Sequence, residues 1–144
     1  MPELPEVETI VRTLERSLLN EQILNIEFLY PKLLETDSPY GLEALQLAHF
    51  TSFSRRGKYL IFGFDNGLYW VVHLRMEGKF HLYEQERPAD KHTHLILSGK
   101  RQYIHYLDVR KFSRMAVVSD LDAYFRKKDL GIEPFDKKLS SKYL

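Results

Sequence analysis

The sequence predicts an α+β fold that is mainly β: a two-layer antiparallel β-sandwich of about eight strands, flanked by two α-helices. Three observations support this class. One segment near the N-terminus has helical apolar spacing, the runs that follow are short and rich in branched and aromatic residues, and turn signals separate those runs. The length of 144 residues suits one ordinary domain that can fold without a disulfide or metal.

The first helix is predicted over residues 4–19. Pro5 suits the first turn, where a missing N–H costs nothing, and the early glutamates suit the positive end of the helix dipole. Charged side chains fall on the face opposite the apolar one. The apolar face contains Leu4, Val7, Ile10, Val11, Leu14 and Leu18.

Strands account for most of the remaining chain. Residues 65–67, Asp-Asn-Gly, predict a tight hairpin because Asn-Gly tolerates positive φ. Prolines make residues 30–41 a loop or a bulged edge, and residues 41–48 fit a short helix. The predicted strands cover residues 22–30, 49–56, 58–64, 68–74, 78–84, 92–98, 101–107 and 114–118.

A second helix closes the sandwich. Ser119 or Asp120 can cap it, and it is predicted to end at Lys128. Residues 129–144 have no apolar period and several charges, which is typical of a linker.

Composition excludes some classes of protein and leaves others open. The chain has no cysteine, which rules out disulfides and thiolate metal sites within it and agrees with a reducing cytoplasm. No stretch reaches the length of a membrane span, and the acidic N-terminus differs from a signal peptide. The formal net charge is only +1, so local charge clusters must decide whether the chain binds nucleic acid.

The N-terminal Pro2 and Glu3 could form a catalytic pair. Removal of Met1 would leave Pro2 with a free secondary amine, and an α-amino group has a pKa of about 7.7–8.0, so a useful fraction is neutral and nucleophilic. Attack on a sugar aldehyde carbon would give a cationic iminium that promotes β-elimination, and Glu3 could protonate the opening sugar oxygen. Taken alone, a proline at this position more often governs N-terminal processing.

The stretch "SRRGKYL" is a candidate phosphate site. It holds Arg55, Arg56 and Lys58 around Gly57, and strand alternation places Arg56 and Lys58 on one face. Cations of this kind give a sequence-independent grip on nucleic acid. The commoner alternative is a solvated strand edge protected by positive charge.

Two further stretches, "HLRMEGKF" and "DVRKFSR", each place a basic residue beside a large apolar one where a loop projects. An exposed Met76 or Phe112 could slip between bases, while a guanidinium takes the hydrogen bonds of the missing partner. The commoner alternative is that both are core residues at sheet corners.

The stretch "KHTH" places His92 and His94 two residues apart, which puts them on the same face of a strand. A metal site needs at least a third ligand, and none is obvious nearby. We therefore predict no metal site, and expect these histidines to contact phosphate or to be hydrogen-bonded at the surface.

The stretches "PELPEVET", "RRGKYL", "HLRMEGK", "KHTHL" and "DVRKF" occur in that order. This combination closely resembles the formamidopyrimidine-DNA glycosylase family, bifunctional base-excision enzymes of bacteria, over residues 1–135. The related endonuclease VIII branch usually begins differently and lacks the matching Arg-x-Phe loop.

The resemblance implies a catalytic role for four positions. Pro2, freed of Met1, resembles the nucleophile that attacks the sugar C1′, and Glu3 resembles the acid that assists ring opening. Lys58 resembles the cation near the lesion that donates a proton in elimination, and Glu6 resembles an acidic residue near the pocket.

The resemblance also implies how DNA is held. Met76, Arg110 and Phe112 resemble the trio that fills the hole left by a flipped lesion, with Arg110 facing the orphaned cytosine. His92 and His73 resemble residues that contact the DNA backbone.

This sequence departs from the family pattern in three places. Ser113 stands where the family usually has Gly, and Ile132 stands where it usually has Pro. The family also carries a second domain with a helix-two-turn-helix and a four-cysteine zinc finger. We therefore expect a catalytic domain over residues 1–130 and a linker over 131–144. We expect no cofactor in this chain and zinc in a missing C-terminal domain. Without that domain we expect impaired activity and weak, salt-sensitive DNA binding.

The leading hypothesis is a glycosylase that removes oxidised purines, such as 8-oxoguanine and formamidopyrimidines, and cleaves abasic sites. Its expected partner is damaged double-stranded DNA, with no membrane association, as a monomer in the bacterial cytoplasm. One alternative is a pyrimidine-directed, endonuclease VIII-like glycosylase, and another is a non-catalytic DNA-binding β-sandwich. A lipocalin-like barrel is disfavoured by the cations at the strand ends.

Overall fold

The computed structural model describes the backbone of residues 4–132 and the side chains of residues 4–128. Two helices, α1 (Leu4–Leu18) and α2 (Leu121–Ile132), flank eight strands, which confirms the predicted fold class. The strands are β1 (Asn25–Phe28), β2 (Phe50–Arg56), β3 (Tyr59–Phe64), β4 (Tyr69–His73), β5 (Lys79–Tyr83), β6 (Thr93–Ser98), β7 (Tyr103–Leu107) and β8 (Arg114–Val118).

The strands form two antiparallel sheets of four, in the orders β1-β6-β7-β5 and β2-β3-β4-β8. Both sheets contribute side chains to one apolar core, whose largest fully buried members are Trp70, Tyr106 and Phe50. Aromatic rings pack edge to face through this core, as Phe80 does against Tyr106 at 4.9 Å between ring centroids. The core therefore fixes the two sheets relative to each other.

Helix α1 packs its apolar face onto this core. Val7, Val11, Leu14 and Leu18 are buried, as the helical period predicts. A salt bridge of 2.8 Å joins Oε1 of Glu8 to Nε of Arg55, near the end of β2. The beginning of α1 is therefore held close to the turn that follows β2.

Residues 22–30 form a shorter strand than predicted. Only Asn25–Phe28 forms a strand with β6. Leu24 still donates its backbone N–H to the carbonyl of Ser98, but Ile23 bonds to a different segment. The backbone N–H of Ile23 donates to the carbonyl of Ala48, and that of Leu47 donates to the carbonyl of Ile23. The short helix expected over 41–48 is a single 3₁₀ turn, Leu42–Leu45.

Helix α2 covers the outer face of the second sheet. Oδ1 of Asp120 accepts the backbone N–H of Ala123 at 3.0 Å, so Asp120 is the cap. Phe125 is buried in a small second core with Ile61 and Val71. The helix continues past Lys128, and no helix among the described residues is long and apolar enough to cross a membrane.

Candidate nucleic-acid interface

The register of the second sheet gathers three of the predicted motifs at one end of the sandwich. Tyr59, which follows the β2–β3 turn, pairs with His73 at the end of β4. His73 in turn pairs with Arg114 at the start of β8. The turn of Gly57 and Lys58 therefore lies near the loop that follows His73 and the loop that precedes Arg114.

The first sheet brings its own motifs to the same end. Thr93 and Lys79 both pair with Leu107, so β6 and β5 begin where β7 ends. Residues 74–78, here named the Met76 loop, join β4 to β5, and residues 108–113, named the Phe112 loop, join β7 to β8. We call this end of the sandwich, with both loops and the β2–β3 turn, the cationic end.

The β2–β3 hairpin corrects one prediction. Arg56 and Lys58 do not share a strand face, because Gly57 and Lys58 form the turn between the strands. Gly57 has a φ of +59°, which glycine adopts without strain. Lys58 is half-buried at the tip, while the guanidinium of Arg56 lies 4.6 Å from the ring centroid of Phe125 on α2.

Met76 and Phe112 are exposed, which excludes the sheet-corner alternative for both. The exposed fractions are 53% for Met76 and 48% for Phe112, although both side chains are large and apolar. Each follows directly after a basic residue in the left-handed region, Arg75 with a φ of 58° and Lys111 with a φ of 60°. A non-glycine residue in this region destabilises the protein by about 1–3 kcal/mol. The two exposed side chains therefore project from strained positions of the backbone.

Asp108 shapes the Phe112 loop from inside the protein. Its buried carboxylate accepts the backbone N–H of Arg110 at 3.1 Å, and the backbone N–H and hydroxyl of Ser113 at 2.7 and 2.6 Å. The exposed guanidinium of Arg110 lies 5.0 Å from the ring centroid of Phe112. The two side chains predicted to enter DNA from this loop therefore project together.

His73 lies among cations at the cationic end. Burial first, and then the charges of Arg75, Lys58 and Lys128 in that order, together lower its pKa to about 4. Its Nδ1 accepts the backbone N–H of Arg75 at 3.1 Å. The neutral ring therefore carries its proton on Nε2, which can donate to a phosphate oxygen.

We expect His73 to titrate near pH 4 in the free protein, because burial and nearby cations oppose its protonation. The unfolded chain takes up this proton near pH 6.5, so the free energy of unfolding should decrease as the pH falls from about 6.5 to about 4. Long-range ¹H–¹⁵N NMR measures the midpoint, and His73→Gln should remove this part of the pH dependence. A His73 midpoint at pH 6 or above would contradict the expectation.

The two histidines of "KHTH" do not share a strand face. His92 lies before β6, in a turn where Oδ1 of Asp90 accepts its backbone N–H at 2.7 Å. His94 is buried in β6, and its Nε2 donates to the carbonyl of Asp108 at 2.8 Å. His92 accepts the backbone N–H of Asp108 at 3.1 Å through its carbonyl, so it lies beside the Phe112 loop.

A cleft of about 790 Å³ lies beside these loops and includes residues that the sequence reasoning did not single out. Nζ of Lys111 lies 4.9 Å from the ring centroid of Tyr30, which follows β1. Arg75, Lys111 and Arg114 lie within or next to the motifs, whereas no functional signal in the sequence pointed to Tyr30, Lys32 or Lys128. The residues that line the cleft include Tyr30, Lys32, Arg75, Lys111, Arg114 and Lys128.

The predicted N-terminal pair, Pro2 and Glu3, lies outside the described residues. Glu6 is exposed in the first turn of α1. Glu8, which bonds to Arg55, follows half a turn later, so the start of α1 lies near the cationic end.

The described residues contain no group of three histidine, aspartate or glutamate side chains arranged to hold a metal ion. The chain also has no cysteine. Its residues therefore do not fit the four-cysteine zinc site that the resemblance implies for a second domain.

Comparison with known proteins agrees with this geometry. The family model of the formamidopyrimidine-DNA glycosylase N-terminal domain matches residues 1–115. A formamidopyrimidine-DNA glycosylase of Lactococcus lactis subsp. cremoris is 40% identical over 146 residues, covering 96% of this chain and 54% of the relative. One from Streptococcus pneumoniae R6 is 43% identical over 140 residues, covering 95% and 51%.

Solved structures give the same result. The complex of Lactococcus lactis Fpg with DNA containing an abasic site has a TM-score of 0.80 at 39% identity, covering 89% of this chain and 48% of the other. Its complex with FAPY-dG-containing DNA has a TM-score of 0.80 at 38% identity, covering 88% and 49%. This chain spans about half the length of the curated relatives that it matches, and on the family model and these identities it belongs to the formamidopyrimidine-DNA glycosylase family.

Proposed function

We propose that this protein excises oxidised purines, such as 8-oxoguanine and formamidopyrimidines, from double-stranded DNA and then cleaves the abasic site. One observation carries the proposal: the fold brings a cationic turn and two loops with exposed apolar side chains to one end of the sandwich. DNA is the ligand for which cations and exposed apolar wedges are needed together. Bacterial chromosomal DNA lies in the cytoplasm, where we propose that the protein acts.

The phosphate backbone would be held by Lys58, His73 and His92. These groups lie at or beside the cationic end, and none of their contacts reads a base sequence. The neutral His73 would donate from Nε2, and Lys58 would supply a charge at the tip of its turn. Because these contacts are to phosphate, binding would release counterions from the DNA, and we expect binding to weaken steeply as salt rises.

The damaged nucleotide would be flipped out, and Met76, Arg110 and Phe112 would fill the space that it leaves. The exposure of Met76 and Phe112 supports this role, because burying them between bases recovers apolar contact that the free protein lacks. Arg110 would hydrogen-bond the orphaned base. Its guanidinium already lies over Phe112, so one loop would bring both groups into the duplex.

The chemistry would take place at Pro2. Its amine attacks C1′ and the bond to the base breaks, with the amine proton passing to the departing base. Glu3 then protonates the ring oxygen, the bond between C1′ and that oxygen breaks, and the sugar opens to an iminium. The iminium draws electrons from the neighbouring carbon, which loses a proton, and the 3′ phosphate leaves in β-elimination. Lys58 would assist proton transfer, and Glu6 would lie near the pocket. The contact of Glu8 with Arg55 supports this proposal, because it holds the start of α1 near the cationic end.

Borohydride trapping tests the proposal. The chain is mixed at low salt with a duplex containing an abasic site and sodium borohydride, and we expect a covalent protein–DNA adduct. Peptide mass spectrometry should place the reduced bond at Pro2. A DNA-binding protein without catalysis would give no adduct, and an adduct on another side chain would exclude the proposed nucleophile. Excision rates on oxidised purines and pyrimidines distinguish the pyrimidine-directed alternative.

A further inference from the structure

The Met76 loop and the Phe112 loop meet at a buried hydrogen-bond cluster centred on Ser113, which has no exposed surface. The hydroxyl of Tyr106 donates to Oγ of Ser113 at 2.5 Å. That oxygen lies 2.6 Å from Oδ2 of Asp108 and 3.2 Å from the carbonyl oxygen of Leu74. One hydroxyl therefore contacts a residue of each loop.

Gly78 brings the Met76 loop directly onto this cluster. A Cβ at this position would lie 2.2 Å from the Tyr106 hydroxyl and 2.7 Å from both the Leu74 carbonyl and the Ser113 hydroxyl. Only a glycine allows this approach without a shift of the neighbours. The backbone N–H of Gly78 also donates to the carbonyl of Leu74 at 3.0 Å, which closes the loop over the serine.

We propose that Ser113 is a positioning residue that couples the two loops, so that Met76 and Phe112 enter DNA as one unit. This inference rests on the proposed function, because it concerns how that function's wedge is held. Ser113 itself does not touch DNA, since it is fully buried. Its effect would act through the fixed spacing between the two exposed side chains.

The direction of the hydrogen bonds supports this coupling. Burial raises the pKa of Tyr106 far above its usual value, so the phenol keeps its proton and donates to Ser113. The single serine proton is then shared between Oδ2 of Asp108 at 2.6 Å and the carbonyl oxygen of Leu74 at 3.2 Å, one acceptor in each loop. Without this hydroxyl, the Met76 loop loses this polar contact with the Phe112 loop, and Ser113 no longer holds the spacing between the two loops.

The test is Ser113→Ala, measured by the fluorescence of 2-aminopurine placed beside the base opposite a tetrahydrofuran abasic analogue. Insertion unstacks the probe and raises its fluorescence. At saturating protein and low salt, we expect the insertion equilibrium to fall by about 3- to 10-fold, the range that corresponds to one lost hydrogen bond. An insertion equilibrium within twofold of the wild type in a folded variant would overturn the proposal.

Ser38→Ala is the matched control. Oγ of Ser38 also bridges two segments, since it donates to the carbonyl of Tyr40 at 2.8 Å and accepts the backbone N–H of Val117 at 2.9 Å. It contacts neither loop, so its loss should lower the melting temperature without changing the insertion signal. An equal loss of signal in both variants would assign the effect to general destabilisation and overturn the proposal.

Tyr106→Phe is the second variant. It keeps the ring in the core and removes only the hydroxyl that donates to Ser113. It therefore tests the coupling of the two loops even if Ser113→Ala does not fold. We expect a smaller fall in the same direction, and no fall would overturn the proposal. If the wild type gives a borohydride adduct and a fluorescence increase and both variants give the same fluorescence increase, the proposed coupling is contradicted and the proposed function stands. If the wild type gives neither, the proposed function fails as well.

Discussion

Insertion of one lysine between Met1 and Pro2 should abolish the covalent adduct with abasic DNA. A lysine at the second position prevents removal of Met1, and the proline nitrogen then belongs to an amide. Its lone pair is delocalised into the carbonyl and cannot attack C1′. We expect adduct formation to fall by at least about 10³-fold, since loss of a covalent nucleophile costs this much or more in other enzymes.

The control for this insertion is Pro5→Ala. This variant changes a proline in the first turn of α1 and leaves the free amine of Pro2 in place. Its adduct yield should stay within a few-fold of the wild type, and both variants should retain the wild-type circular dichroism spectrum. Undiminished adduct formation by the lysine insertion would contradict Pro2 as the nucleophile. Peptide mass spectrometry would then distinguish the new terminal amine and the inserted lysine from an internal amine such as Lys58.

The overall fold is predictable from local patterns in the sequence, because the spacing of apolar residues shows which face of an element is buried and the turn residues show where it ends. The apolar period of α1 and the Asn-Gly turn after β3 are of this kind. The errors occur where a distant segment decides. Gln22 and Ile23 bond to residues 47–49 rather than extend β1, and no local period carries that information.

The site was predictable as a set of motifs but not as an arrangement. Residue types alone left Met76 and Phe112 as core residues or wedges, and only the structure shows them exposed. Arg56 and Lys58 have alternating spacing, yet the left-handed Gly57 makes a turn between them. Ser113 was recognised only as a departure from the family pattern, because its contact with Leu74 spans 39 residues.

Asp108→Ala should lower the free energy of unfolding by about 3 kcal/mol, because three donors lose a charged acceptor inside the protein. Two of those donors belong to the fully buried Ser113 and cannot reach water without opening the loop. The third, the backbone N–H of Arg110, holds the position from which the guanidinium is proposed to enter DNA. Urea unfolding measures the change, and the melting temperature should fall by roughly 10 °C.

Asp65→Ala tests whether burial is the reason. The carboxylate of Asp65 also accepts two bonds from one residue, the backbone N–H of His49 at 2.9 Å and its Nδ1 at 2.8 Å. Asp65 lies in the exposed β3–β4 turn, where water can replace the lost acceptor, so its removal should cost much less. Similar losses per hydrogen bond for the two aspartates, three bonds at Asp108 and two at Asp65, would mean that the number of bonds rather than their burial sets the stability. A small decrease in the free energy of unfolding for Asp108→Ala would mean that the Phe112 loop is already open to solvent in the free protein. Phe112 would then become ordered only on binding DNA.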